Sequence, residues 1–138
     1  MMVINKTALI AELDLMTGVG GTLNGVKVHL FNTPFDLTQD SLLAEFIEAT
    51  FAGYAASAVV VWGAAFMNQN NEAETLGPSI LFAATDAVTP NQVHGYYITN
   101  GAGTVWIAAE VFATPVPMVD GDSNLVLIPR YVHGTKAA

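Results

Sequence analysis

At 138 residues and 14.5 kDa the chain fits one domain, and a fold of this length, burying roughly two-thirds of its unfolded surface, needs no metal or disulfide staple. Only 12% of residues are charged against 52% hydrophobic, which excludes disorder and leaves a lone monomer short of solvating groups, so other copies or another protein are expected to cover part of the surface. The net charge of −8 excludes nucleic acid as a partner and opposes an anionic membrane, and the absence of cysteine excludes disulfides, thiolate nucleophiles and zinc–thiolate sites.

Residues 1–25 read as an N-terminal arm, with an apolar patch that includes Leu9, Ile10, Leu13, Leu15 and Met16 before the glycine-rich hinge Gly18-Val19-Gly20-Gly21. No signal peptide is expected, because Asn5, Lys6 and Glu12 leave only a short apolar run; without one, the sequon Asn5-Lys6-Thr7 has no secretory context. Residues 26–138 read as one β domain. Val26, Val28 and Leu30 alternate with Lys27, His29 and Phe31, the period of two of a strand with one apolar face. Asn32-Thr33-Pro34 closes it, since proline cannot donate to a ladder. Residues 38–49 carry Leu42, Leu43, Phe46 and Ile47 at helical spacing behind a cap at Thr38 or Asp40, and predict a helix of one to three turns. No residue from Ala49 to Asn71 is charged, but this stretch is rich in small and polar residues and has acidic flanks without basic anchors, so buried strands are expected rather than a membrane span.

Further strands are predicted at 54–62, 63–67, 72–76, 80–85, 93–99, 104–112 and 124–132. Turn chemistry separates them at Asn68-Gln69-Asn70-Asn71, Gly77-Pro78, Thr89-Pro90-Asn91, Asn100-Gly101 and Asp120-Gly121-Asp122. Asn100-Gly101 predicts a two-residue type I′ hairpin. Short strands punctuated this regularly predict a mainly β chain, an antiparallel sandwich or jelly roll with one short helix and an N-terminal arm.

No catalytic, cofactor or metal site emerges from the residues. His29, His94 and His133 fall on or beside three different predicted strands without the close pair of a metal site. Asp120-Gly121-Asp122-Ser123-Asn124 opens like a calcium loop, but Leu125 stands where glycine is needed and Tyr131 where a bidentate glutamate is needed. The glycines at 18–21 lack the lysine of a phosphate-binding loop. Carboxylates for glycoside chemistry would have to come from distant pieces, such as Glu110 with Asp86 or Glu74. The serines lack a nucleophile-elbow context. The aromatics Trp62, Tyr96, Tyr97, Trp106, Phe112 and Tyr131 fall in predicted strands and are expected either in the core or in a patch that meets a protein or a sugar. The candidate interface is Leu9, Leu13 and Met16 of the arm with Trp62, Trp106 and Tyr131 of the strands.

An ordered set of short elements carries a resemblance. It runs from Val28-His29-Leu30-Phe31-Asn32 through Glu48-Ala49-Thr50-Phe51-Ala52-Gly53-Tyr54-Ala55, Trp62, Gly77-Pro78 and Phe82. Gly95-Tyr96-Tyr97-Ile98-Thr99, Ala109-Glu110-Val111-Phe112 and Ile128-Pro129 complete it. Over roughly residues 10–132 this resembles small virion proteins of tailed bacteriophages, including capsid decoration (cement) proteins. The resemblance implies a β-sandwich or jelly-roll subunit on the outer surface of the capsid with the major capsid protein as partner, and the low charge adds further copies of itself, as dimer or trimer. The resemblance transfers no catalytic residue and no cofactor, and the acidity of the chain leaves neither nucleic acid nor a membrane as an expected partner. A carbohydrate- or receptor-binding module of a tail fibre or spike shares the same features and is the alternative. An exposed Trp62 or Trp106 beside acidic or amide groups is its expected mark.

Overall fold

The alternation of residues 26–31 forms the strand that it predicts, and this strand lies inside the largest sheet of the molecule. The computed structural model describes residues 2–5, 25–59, 62–64, 66–85 and 91–133. Its strands are β1 (Met2–Ile4), β2 (Val26–Phe31), β3 (Ser57–Val59), β4 (Phe66–Met67), β5 (Ala73–Leu76), β6 (Ile80–Ala83), β7 (Asn91–Thr99), β8 (Trp106–Met118), β9 (Asn124–Leu127) and β10 (Arg130–His133). The main sheet has the order β1-β8-β7-β2-β3, a second sheet the order β10-β5-β4, and β6 and β9 pair as a two-stranded ribbon. All strand pairs are antiparallel.

The middle of the main sheet, at β2, the second half of β7 and the start of β8, is buried on both faces, which explains why these strands are apolar at consecutive positions. Val26, Val28 and Leu30 of β2 face the same side as Tyr96 and Ile98 of β7, and they share one core cluster with Ile80, Phe82 and Leu127 of the ribbon and Tyr131 and Val132 of the second sheet. On the opposite side Phe31, Tyr97, Trp106 and Ala109 pack with Phe46, and Phe35, Leu37 and Leu43 complete that cluster. The Phe46 ring stacks on Tyr97 with centroids 4.4 Å apart and meets Trp106 edge-on at 5.3 Å. The Trp106 indole N–H donates to the Ser41 carbonyl at 2.8 Å, tying the covering segment to β8. Trp106→Phe removes this donor and leaves a buried carbonyl without its partner. It is expected to cost about 2 kcal/mol, measured as a shift of the urea midpoint.

That covering segment is where the helix was expected, and only a single 3-10 turn forms, at Leu43–Glu45. The reason lies in β2. Beyond the end of β3, the Leu30 carbonyl accepts from the Ala49 N–H at 2.9 Å and the Asn32 N–H donates to the Ile47 carbonyl at 2.9 Å. Phe31 and Glu48 form an antiparallel bridge. Satisfying β2's open backbone groups draws residues 47–49 out straight and ends the helix.

Other expectations change for equally local reasons. Within the predicted strand 54–62 the described residues keep only β3, and Trp62 lies outside any strand. The predicted strand 124–132 is two strands in different sheets. It breaks at Ile128-Pro129, where Pro129 has no N–H to give the β6–β9 ladder and its carbonyl accepts from the Gly77 N–H in the register of the β5–β10 pair. Strand 104–112 extends to Met118. Between the pairs Gly95↔Val111 and Val93↔Val116, residues 112–115 of β8 bulge opposite His94 alone. Gly95 sits at this irregularity and admits no side chain, because a Cβ there would overlap the Glu110 carbonyl oxygen and stand 2.7 Å from the Phe31 ring. The β7–β8 hairpin forms, but not as a two-residue turn. The Asn100 N–H donates to the Val105 carbonyl at 3.0 Å, and the positive φ falls at Gly103. Asn100 contributes its side chain, whose Oδ1 accepts from the N–H groups of Thr104 (2.8 Å) and Val105 (3.2 Å).

The expected arm starts inside the sheet, since Met2–Ile4 pairs with Ala108–Glu110 of β8 and Met2 is buried in the core. Its remaining residues 6–24, with Leu9, Leu13, Met16 and the glycine hinge, lie outside the described residues. Among the described residues no helix is long and apolar enough to cross a membrane.

Candidate functional site

Of the described interface candidates, Trp106 is 2% and Tyr131 7% exposed, so each is a core side chain of the monomer. Trp62 is half-buried and packs against the larger cluster. Exposed apolar side chains, Leu42 and Met67 among them, are spread over several elements, and one group of them lies on the ribbon. Ile80, Phe82 and Leu127 face the core, which leaves Leu81 and Val126, directly opposite each other, on the outer face at 62% and 64% exposure. Ile128 follows in the same alternation and is also exposed. No residue of 79–85 or 123–129 is charged, so this face has neither ion pairs nor fixed charges to hold water. Sequence reasoning missed it because a strand apolar on both faces reads as buried on both.

A second constellation joins the sheets. Arg130 of β10 donates from Nε and Nη2 to the two oxygens of Glu110 on β8, each at 3.0 Å. The Tyr96 hydroxyl of β7 donates to Glu110 Oε2 at 2.9 Å and accepts from the Arg130 backbone N–H at 3.1 Å. The Nη1 of Arg130 stands 3.7 Å from Oε1 of Glu74, a buried carboxylate on β5. Glu74 Oε2 in turn accepts from the Asn68 carboxamide at 3.0 Å. Glu74 and Glu110 therefore meet at one guanidinium, which holds the second sheet to the main one. The carboxylates flank a cation instead of an open space for a glycosidic bond. Beside this clamp the β4–β5 hairpin borders an open cleft of about 380 Å³.

A third group has the connectivity of a nucleophile relay. His29 Nδ1 lies 2.7 Å from Glu48 Oε1 and Nε2 lies 2.9 Å from Thr99 Oγ1. Thr99, however, is 1% exposed, and its hydroxyl also reaches the Asn100 carbonyl at 2.9 Å. A nucleophile must reach a substrate carbonyl, and this one is sealed inside the sheet. Tyr54 donates to Glu48 Oε1 at 2.7 Å and accepts from the Leu30 N–H at 3.0 Å, so the group joins the covering segment to β2 as a polar strut. Every buried side-chain polar atom among the described residues has a hydrogen-bond partner.

Among the described residues no three of His, Asp and Glu converge as metal ligands. The Asp120 turn satisfies itself: Asp120 Oδ1 accepts from the Asp122 N–H at 2.9 Å and from the Ser123 hydroxyl at 3.2 Å. No family model, curated protein or solved structure matches the chain.

Proposed function

We propose that this chain is a bacteriophage capsid decoration protein, a β-sandwich of jelly-roll type that binds the outside of the head shell and ties major capsid protein subunits together. The uncharged outer face of the ribbon, with Leu81 and Val126 paired on it and Ile128 alongside, is the observation that carries this reading. Three aliphatic side chains going from half-exposed to buried supply on the order of 3 kcal/mol before the cost of association, a weak contact taken singly. Repetition over a shell makes such a contact sufficient, because avidity multiplies it and each occupied junction stabilises the assembled shell by linkage. The low share of charged residues suits a protein that works with part of its surface covered. The protein acts by binding, without catalysis. Burial of both Trp62 and Trp106 would count against the tail-fibre reading, and Trp106 is buried while Trp62 is half-buried.

Cosedimentation with empty head shells of the phage that encodes the chain tests this directly. Saturable binding that raises the shell's melting temperature is the expected result, and Leu81→Asp with Val126→Asp should abolish it in a protein that stays folded, since both side chains point outward. Absence of binding by the native chain, with the protein recovered in tail fractions, would overturn the proposal.

A further inference from the structure

We propose that the cleft beside the β4–β5 hairpin is a binding site for a neutral saccharide. Its walls are residues 66–70 of the hairpin together with Glu74 and Arg130. Phe66 lies directly opposite Glu74 across the β4–β5 pair, so its ring and the carboxylate share one side of the sheet, and the ring is 44% exposed. Asn68 fixes the rim. Its Oδ1 accepts from the N–H groups of Asn70 (2.9 Å) and Glu72 (3.0 Å) while its amide donates to Glu74. Asn71, at φ 57°, completes the turn. The exposed carboxamides of Gln69 and Asn70 are thus carried on a turn whose backbone is already fixed before a ligand arrives.

The chemistry of the walls selects the ligand class. The one guanidinium is shared by two carboxylates, Glu74 and Glu110, so the wall carries a formal charge of −1 that repels an anion, while a cation approaching Glu74 meets Arg130 Nη1. The interval of 3.7 Å between Arg130 Nη1 and Glu74 Oε1 is beyond direct hydrogen-bond length. A single atom bridging the two from the cleft side would have to accept from the guanidinium and donate to the carboxylate. A hydroxyl does both, whereas a peptide N–H only donates and a peptide carbonyl only accepts. The carboxamides extend the same donor–acceptor pairing to neighbouring hydroxyls, and the Phe66 ring matches the C–H face of a pyranose. This site is built by the second sheet, shares no residue with the ribbon face and does not depend on shell binding.

The test is an NMR titration of the full ¹⁵N-labelled chain with D-glucose, D-galactose, N-acetyl-D-glucosamine and L-rhamnose, each alone. At least one sugar should give saturable shifts in the side-chain signals of Gln69, Asn70 and Arg130 Nε. Phe66→Ala, at an exposed edge position, should weaken binding about tenfold with the remaining spectrum unchanged. Gln69→Ala at the turn tip is a second variant that cannot disturb the core. Inorganic phosphate and putrescine serve as anionic and cationic controls. No saturable shift with any of the four sugars, or equal shifts with phosphate or putrescine, would overturn the proposal.

Discussion

Arg130→Leu is expected to destabilise the chain by about 3 kcal/mol, read from urea unfolding followed by circular dichroism. The substitution leaves Glu110, bound through both its oxygens, and the buried Glu74 beside it without their cation. Removing one partner of a buried pair costs more than the pair itself contributes, because an uncompensated charge stays in a poorly solvated place. Arg130 is about one-third exposed, which puts the expected loss at the low end of the range for buried pairs. The combined variant Arg130→Leu, Glu74→Gln, Glu110→Gln should regain a large part of the loss, since it removes the stranded charges. A single variant as stable as the native chain would mean that the two sheets are held by apolar packing alone.

Alkaline unfolding is the other large effect. The chain has four tyrosines, and burial raises every one of them: Tyr131 is pushed up from 10.0 to about 12, and Tyr54, Tyr96 and Tyr97 go higher still. Burial is the main cause in each case. Glu48 adds to it at Tyr54 and Tyr97, and Glu110 adds to it at Tyr96. Above pH 10 the unfolded chain releases phenolic protons that the folded chain keeps, so the unfolded state binds fewer protons and stability falls as pH rises. The stabilisation is complete below that value and is lost on the way up through the folded-state values. One fully protected phenol, as at Tyr96, contributes a slope of about 1.4 kcal/mol per pH unit, and the less enclosed phenols contribute less. Tyrosinate absorbance should therefore rise in one cooperative step together with the loss of circular dichroism. Absorbance that climbs along a free-tyrosine curve before structure is lost would show that the phenols are not protected.

The elements legible in the sequence are those fixed by neighbours along the chain. The alternation of residues 26–31, the stop at Asn32-Thr33-Pro34 and the hairpin at Asn100-Gly101 depend on local sterics and on backbone donors, and the structure has each of them in place. The type of the hairpin turn was not legible, because an Asn-Gly pair suits a type I′ turn as well as it suits the Asn100 side-chain acceptor with the positive φ moved to Gly103. The segment before Ala49 has helical spacing, yet backbone groups of β2, far away in sequence, outcompeted the helix for its residues.

The candidate sites were legible only as residue types. Trp106 and Tyr131 have the composition of an interface and became core, while Leu81 and Val126 have the composition of a core and became surface. Periodicity states which residues share a face of a strand. What covers that face is decided by the packing of sheets, and here a two-stranded ribbon with one face on the core has nothing of this chain's described residues to cover the other. Glu74, Glu110 and Arg130 come from three strands in two sheets, and only the docking of those sheets brings them together. Sequence by itself determined a low-charge, mainly β chain of antiparallel strands, since composition and alternation act within a few residues. Tertiary structure alone decided where the charges pair and which apolar face stays open, because both depend on contacts between segments that the chain order keeps apart.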